Sequence, residues 1–513
     1  MKYKKLLNGS FFIMILIIAS KLLGLIRDSL IAKSFGLSYL NDIYMFSLGT
    51  TMLFISISYG ITSALIPIHT YIKENGDIKE RNRYISNVIT VISIITFIIV
   101  VLGIIGAGSI VSVFASSFKE DINIYNQAVL LVRVMFISLI FVAVQSILTA
   151  VLQCHNRFIA TSLMPVFSNV IYILYLIFFI DRYGLNGFGI ATVLGFLSML
   201  LINIPGFRKL EYKYNFVFDL KDENLKALGK SMLPIVICAS LVQINVFIVR
   251  SFAGTLETGS ISSLDYANKL NMLVYEVFAQ AISMVVYPKL SSLASRSDYK
   301  GFNKEISKGI NFIFLLMVPA AFGLLTLRIP LISLYLERGA FGSNEVIMTS
   351  SALIFYIPTM VIYGVRDLVN RGFYSLKESK IPMYNAVLNI ILNIIFCFIT
   401  VKILGVQGLA LSNSLATLLA TIILIFSLKK KVSSLDISTI TRTFIKISVA
   451  SIVMAVVVNF TNMIFSSYLG TFGISKLISV VLSTLTGVVI YVILLYVFKI
   501  EEFLEYKRLI FKK

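Results

Sequence analysis

The amino-acid sequence predicts an all-α polytopic membrane protein with about fourteen membrane-crossing helices. Three observations predict it. Apolar residues fill 58% of the 513 positions and charged residues only 14%, where a soluble chain holds about 45–50% and about a quarter. The mean hydropathy is +0.91. Apolar runs able to cross about 30 Å of hydrocarbon follow one another along the whole length. A soluble enzyme, a disordered chain and a nucleic-acid-binding module are excluded together.

The runs fall, in order, at 9–34, 42–66, 84–114, 124–153, 158–180, 185–206, 230–252, 260–287, 309–327, 343–375, 381–401, 406–427, 444–463 and 477–498. Polar loops separate almost every pair, and the longer runs suit tilted helices or helices that leave the bilayer. The start, Lys2, Lys4 and Lys5 before an apolar run from Phe11 to Ala19, resembles a signal peptide. The run continues through Leu22 to Ile31 without an Ala-x-Ala cleavage site, so an uncleaved first helix is expected.

The net charge of +20 is explained by topology. With the amino terminus placed inside, the inner segments hold 31 of the 45 lysines and arginines, the outer segments 7 and the helices 7. Basic residues resist translocation, so this asymmetry predicts both termini in the cytoplasm and an even helix count, with no nucleic-acid partner needed. The three cysteines, Cys154, Cys238 and Cys397, and the two histidines, His69 and His155, have no metal-ligand spacing.

A shift of the sequence against itself by about 221 positions aligns Pro67 with Pro288, Gly184 and Gly187 with Gly405 and Gly408, and Ser10 with Ser231. Asn169 falls one residue from register with Asn389. Six helices precede the shift, so both halves share one orientation, as in transporters that rock about a central site. The expected division is an N-lobe at 1–206, a cytoplasmic linker at 207–229 and a C-lobe at 230–428. Two further helices and a tail complete it at 429–513.

Charges within the helices carry the functional signal. They are Lys21, Arg27, Arg133, Arg250, Lys269, Arg366 and Arg371 against Asp28, Asp265, Glu276 and Asp367, with Asp42 at an outer helix end. A charge at the bilayer centre costs about 2.5–3.5 kcal/mol on the insertion scale, so these groups must pair or line water. Asp265, Lys269, Met272 and Glu276 share one stripe of the eighth helix; Tyr363, Asp367, Arg371 and Tyr374 repeat that spacing on the tenth. Lys21, Gly24 and Asp28 share a face of the first, with Arg27 beside it. A net basic polar cavity between the halves is expected, and arginine forks there suit phosphate. Two roles are open to these charges, cavity lining and ion pairs that lock helices together. Lys21, Arg27 and Lys269 are assigned to the cavity, while Asp265, Glu276, Arg366 and Asp367 stand between pairing and gating. Arg133 and Arg250 are read as snorkelling. Asn385, Asn389 and Asn393, four residues apart on the eleventh helix, are either interhelical hydrogen-bonders or Na⁺ ligands.

No phosphate-binding glycine loop, nucleophile elbow or His–acid pair supports an enzyme, and no ATP-binding motif is present. No cofactor is expected, and transport must run on a gradient.

Several stretches form a recognisable set: Ser20-Lys21-Leu22-Leu23-Gly24-Leu25-Ile26-Arg27-Asp28 with Phe35-Gly36 and Asp42, then Gly259-Ser260-Ile261-Ser262 with Tyr266-Ala267-Asn268-Lys269-Leu270. Pro288-Lys289-Leu290-Ser291, Glu337-Arg338-Gly339-Ala340-Phe341 and Arg366-Asp367 through Phe373-Tyr374-Ser375-Leu376-Lys377 complete them. Together they resemble the MurJ/MviN family of the multidrug/oligosaccharidyl-lipid/polysaccharide exporter superfamily. The resemblance covers nearly the whole chain. It implies a monomeric flippase in the bacterial cytoplasmic membrane that moves lipid II, undecaprenyl-diphosphate-linked disaccharide-pentapeptide, to the outer leaflet. Lys21, Arg27, Asp28 and Lys269 fall on family positions tied to substrate, and the two extra helices imply a groove for the lipid tail. Coupling to Na⁺ or the membrane potential is also implied. The sequence departs from the family at the second helix, which lacks basic residues, at Leu273-Val274-Tyr275-Glu276, and at Val249 where some members have an Asp. Such departures suit a relative that carries another polyprenyl-linked glycan; a cation-coupled drug exporter and a membrane scaffold are the readings from other classes.

Overall fold

A computed structural model describes residues 2–432, 437–470, 473–500 and 502–504. The tail from 505 onward, part of the expected C-terminal segment, lies outside the described residues. The described chain is helical, with one isolated bridge between Arg338 and Phe341. In order the helices are α1 (Lys2–Phe35), α2 (Tyr39–Asn75), α3 (Ile78–Phe114), α4 (Ile122–Phe136), α5 (Ser138–Cys154), α6 (Phe158–Phe178), α7 (Ile180–Leu201) and α8 (Ile204–Arg208). There follow α9 (Glu223–Ala253), α10 (Ser260–Ser295), α11 (Tyr299–Leu336), α12 (Ser343–Ser375), α13 (Lys380–Val432), α14 (Ile437–Leu469) and α15 (Gly473–Val497).

Among the described residues, 11 helices are long and apolar enough to cross a membrane, or 12 if the bent α10 is one span. Each such helix satisfies its backbone internally, which hydrocarbon demands. The outward sides confirm the solvent: on α3, Phe97, Leu102 and Ile105 are exposed apolar residues, as are Leu485, Val488 and Val489 on α15.

Acids are scarce, and many of those in loops are spent on helix starts. Asp77 accepts from the Glu80 N–H at 2.6 Å, Asp121 from Asn123 at 2.7 Å and Asp298 from Gly301 at 2.8 Å. Asp222 accepts from both Asn224 and Leu225. A carboxylate there satisfies orphan donors and meets the positive helix end.

Two compact units make up the chain: 1–262 with the short segment Arg338–Phe341, and 263–337 with 342–513. In the first unit α2 is the central helix, packed against α4, α5 and α9, while α1 packs on α6. Helix α9, expected from the sequence in the second lobe, thus lies along α2. Ile61, Leu65, Tyr84, Val88, Ile147 and Val151 form the unit's inner core. In the second unit α11 is central, touching α12, α14 and α15. Its core joins Leu315 and Val318 to Ile447, Met454, Val480 and Leu495. The Tyr491 hydroxyl there donates to the Leu315 carbonyl at 2.8 Å.

Two glycines aligned by the 221-residue shift share one unusual backbone. Gly184 in α7 has φ 53° and ψ −146°; Gly405 in α13 has φ 54° and ψ −127°. Both bend the chain between successive helical stretches, in a region that residues with a Cβ avoid. An added Cβ at either position would meet no atom within 4 Å. The requirement for glycine is therefore one of conformation alone. Gly405→Ala should lower stability by about 1–2 kcal/mol. Gly229→Ala, inside α9 with equally open space, should raise it slightly. Thermal unfolding in detergent of the two variants checks the opposite signs.

Candidate functional site

In the first unit the charged residues of α1 are organised by Arg27. Its Nε and Nη2 donate to Asp28 Oδ1 at 3.0 and 2.9 Å, and its Nη1 donates to Asn169 Oδ1 at 3.0 Å. The guanidinium also lies 5.7 Å from the Tyr172 ring centroid. Asn169 in turn donates to the Ser20 carbonyl at 3.3 Å. These contacts run between α1 and α6, and the exposure of the pair differs. Asp28 is buried, while the Arg27 side chain stays 26% exposed. A guanidinium has five N–H groups. Three are used among the described residues, which leaves two. Lys21, two turns earlier on α1, is exposed.

Asp42 takes a different part. It is buried, and both its oxygens serve the start of α10: Oδ2 accepts from the Gly259 N–H at 2.6 Å, and Oδ1 accepts from the Ser262 N–H and hydroxyl at 2.8 and 2.7 Å. A residue of α2 therefore satisfies donors at the start of α10. Such a carboxylate is committed to the donors of Gly259 and Ser262.

The segment Arg338–Phe341 meets the end of α1. The Ala340 N–H donates to the Lys33 carbonyl at 2.8 Å. Gly339 has φ 59°, and a Cβ there would strike Lys33; one at Gly36 would strike the Ala340 carbonyl. The Glu337-to-Phe341 motif thus carries its glycine because two backbones approach closely. Arg250, expected to snorkel, instead lies against α2: its guanidinium occupies the space that a side chain at Gly49 would need. Arg133 is exposed and donates to the Ile104 carbonyl at 3.2 Å.

In the second unit the stripes of α10 and α12 come together. The Tyr275 and Tyr363 rings are 5.9 Å apart, and the Arg371 guanidinium lies 5.7 Å from the Tyr287 ring. Arg371 pairs with Asp367 at 3.1 Å, one turn away, with both side chains about a quarter exposed. Arg366 has its Nε buried with no acceptor among the described residues. Asp265, Lys269 and Glu276 are half-buried on α10, and Lys269 Nζ lies 5.4 Å from the Tyr266 ring.

The three asparagines of α13 separate into two kinds. Asn393 Oδ1 accepts from the Ser412 hydroxyl at 3.1 Å, as an interhelical hydrogen-bonder does. Asn385 Nδ2 donates to the Ala420 carbonyl at 2.6 Å, yet Asn385 Oδ1 and Asn389 Oδ1 are buried without a partner among the described residues. Thr421 Oγ1, beside Ala420, is likewise orphaned.

A cavity of about 580 Å³ opens in the same unit, lined by Phe314 and Phe322 of α11, Ile357 of α12, Ile422 of α13 and Phe444 of α14. Thr421, Thr441 and Ser448 are its few hydroxyls. It suits a hydrocarbon chain. Of the two helices beyond the repeat, α14 lines it and α15 braces α14 from behind.

Comparison with known proteins places this geometry. The profile of the family described as lipid II flippase MurJ matches residues 31–498. The chain belongs to that family. The probable lipid II flippase MurJ of Thermotoga maritima is 27% identical over 503 residues, covering 98% of this chain and 97% of its own. That of Vibrio cholerae is 26% identical, covering 81% of each. Among solved structures, a lipid II flippase MurJ in an inward closed conformation superposes with a TM-score of 0.81 at 26% identity, covering 95% of this chain and 98% of its own. An inward-facing MATE transporter of the MOP superfamily shares the fold at a TM-score of 0.68 and 16% identity, covering 81% and 95%.

The reach of Asp42 gives a test. Asp42→Ala leaves two buried N–H groups without an acceptor, which costs about 1–3 kcal/mol. Asp42→Asn keeps an oxygen for one of them and should lose less. Melting temperatures in detergent should fall in the order wild type, Asn, Ala; three equal values would remove the cap from the account.

Proposed function

We infer that the chain is a lipid II flippase of the bacterial cytoplasmic membrane, moving the undecaprenyl-diphosphate-linked peptidoglycan precursor to the outer leaflet by alternating access. It is a transporter and not an enzyme. The observation that carries the reading, beside family membership, is the Arg27 guanidinium: fixed by Asp28 and Asn169, partly exposed, with two donors left over. A planar donor fork set in advance suits a phosphate oxygen pair, and little entropy is lost when the ligand arrives. Lys21 is a second cation of α1 proposed for the substrate, and Lys269 of α10, in the other unit, is proposed as a substrate-contacting cation in its own right. Asp367–Arg371 is a gating candidate because it is an ion pair within one helix, free to re-pair as α12 moves. The apolar cavity lined by α11 to α14 accommodates part of the polyprenyl chain.

The full topology is fourteen crossings with both termini inside. α1 contributes one, its Arg27 facing Asn169 and Tyr172 rather than lipid. α13, at 53 residues and bent at Gly405, contributes two. The shared backbone of Gly184 and Gly405 supports the parallel repeat, with lobes at 1–206 and 230–428 and an appendix at 429–513. Asn385 Oδ1, Asn389 Oδ1 and Thr421 Oγ1 are the oxygens that would hold a coupling Na⁺, a role open to them because no hydrogen bond claims them. Asn393, already bonded to Ser412, is not among them. Bound there, the ion would link the cycle to its gradient.

Complementation tests the substrate assignment. The wild-type chain should rescue a bacterium depleted of its lipid II flippase and clear lipid II from the inner leaflet. Arg27→Ala and Lys269→Ala should each insert normally and fail to rescue. Arg27→Lys should also fail, since it keeps the charge and loses the fork. Rescue by both alanine variants would overturn the role given to these cations.

A further inference from the structure

The connection between α8 and α9 displays a feature that the flippase activity does not use. Residues 212–219 have no regular secondary structure, yet they are stitched to the start of α3. The Ser86 hydroxyl accepts from the Asn215 N–H at 3.2 Å, and Asn87 exchanges two hydrogen bonds with the Asp219 backbone at 2.8 and 2.9 Å. Arg83 pairs with the Asp219 carboxylate at 3.2 Å, and Arg81 stacks on the Tyr212 ring at 4.2 Å. The Tyr214 and Thr90 hydroxyls are 3.0 Å apart. The strap is therefore held in one place, and what it presents is apolar. Tyr214, Phe216, Phe218 and Leu220 are 52%, 75%, 53% and 56% exposed.

The level of this strap is readable from α3. Most outward residues near its start are polar, among them Lys79, Glu80 and Arg83; from Ile94 to Ile105 they are apolar. Tyr214 meets Thr90, about one turn before that change, and Asp219 meets Arg83, nearly two turns earlier still. The strap thus spans the layer where a helix passes from water into hydrocarbon. Aromatic rings concentrate at that depth in membrane proteins. Around them Arg208, Lys209, Lys213, Lys221, Lys226 and Lys230 are all exposed. Of the four acids in the same stretch, Asp219 is paired with Arg83 and Asp222 caps α9.

We propose that this strap is a membrane-binding surface: Tyr214, Phe216, Phe218 and Leu220 seat among the headgroups of the cytoplasmic leaflet, while the flanking lysines bind its anionic phospholipids. Tyr214, Phe216, Phe218 and Leu220 fall at every second position of an irregular, extended-type segment, a spacing that can turn them to one side, and the exposed lysines around them match the negative charge of anionic headgroups. Anionic lipid attracts juxtamembrane basic residues within a Debye length, so the lysines and the rings act on the same ligand.

The sequence contains no tryptophan, so one indole reports on the strap alone. Phe216→Trp and Phe218→Trp in the full chain, reconstituted in phosphatidylcholine–phosphatidylglycerol vesicles, should fluoresce at short wavelength and resist iodide. Lipids brominated near the headgroup should quench them about twofold more than lipids brominated near the chain end, as expected of interfacial depth. Removing phosphatidylglycerol, or adding Lys213→Gln with Lys221→Gln, should restore iodide access. Full iodide quenching in both variants, with none from brominated lipid, would leave the surface to a soluble protein and overturn the proposal. Strongest quenching by deep bromines would also overturn it. Identical behaviour with and without phosphatidylglycerol would refute the anionic component.

Discussion

The cost of placing a charge in hydrocarbon governs this molecule. At about 2.5–3.5 kcal/mol for each such group on the most lenient scale, no helix could carry Arg27, Asp28, Asp367 or Arg371 on a lipid-facing side without a compensating partner. The structure meets this cost in two ways. Some charges are consumed inside the protein, as Asp42 is by the start of α10, where the carboxylate satisfies donors that hydrocarbon would leave empty. Others are held but not consumed. Arg27 is oriented by Asp28 and Asn169 and keeps part of its surface and two of its donors. That second class is where a charged cargo can be met, because its members are already ordered and already partly desolvated.

The same constraint explains why so little of the chain's chemistry looks like an enzyme's. Few acids exist, and Asp77, Asp121, Asp222 and Asp298 sit at helix starts. Much of the remaining polar capacity lies in asparagines, serines and threonines that join helical stretches, such as Asn393 with Ser412 and Thr400 with the Gly408 carbonyl, across the Gly405 bend of α13. Neutral hydrogen bonds of this kind join helices that lipid does not push together. The apolar cavity of α11 to α14 follows from the opposite chemistry, with aromatic and branched side chains leaving space that water gains nothing by entering.

The membrane architecture was legible because a bilayer demands about 20 apolar residues per crossing and the sequence supplies them in separated runs. The backbone bends were legible at Gly184 and Gly405, which the 221-residue shift aligns and where glycine meets the backbone requirement. The stripes of α10 and α12 were legible from spacing alone, since helical periodicity puts Tyr363, Asp367 and Arg371 on one face. What spacing could not reach were partners distant in sequence. Asn169 lies 142 positions from Arg27, and Asp42 lies 217 from Gly259. Asn169 had left one trace, its near-register with Asn389. Asp42 had left none beyond its position at a helix end, and the close fit of Arg250 against Gly49 could not be told from snorkelling. The asparagine ladder on α13 was visible as a pattern, but only its neighbours show that Asn393 is spent and that Asn385 and Asn389 keep idle oxygens.

The central claim is that pre-oriented cations hold a diphosphate. Equilibrium binding in detergent measures this without transport: undecaprenyl diphosphate titrated against the purified chain, with undecaprenyl monophosphate as the comparison. The diphosphate should bind more tightly, and Asn169→Leu, which frees Arg27 from one of its supports without removing a charge, should erase most of that preference. Equal affinity for the two lipids, or a preference untouched by Asn169→Leu, would contradict the account.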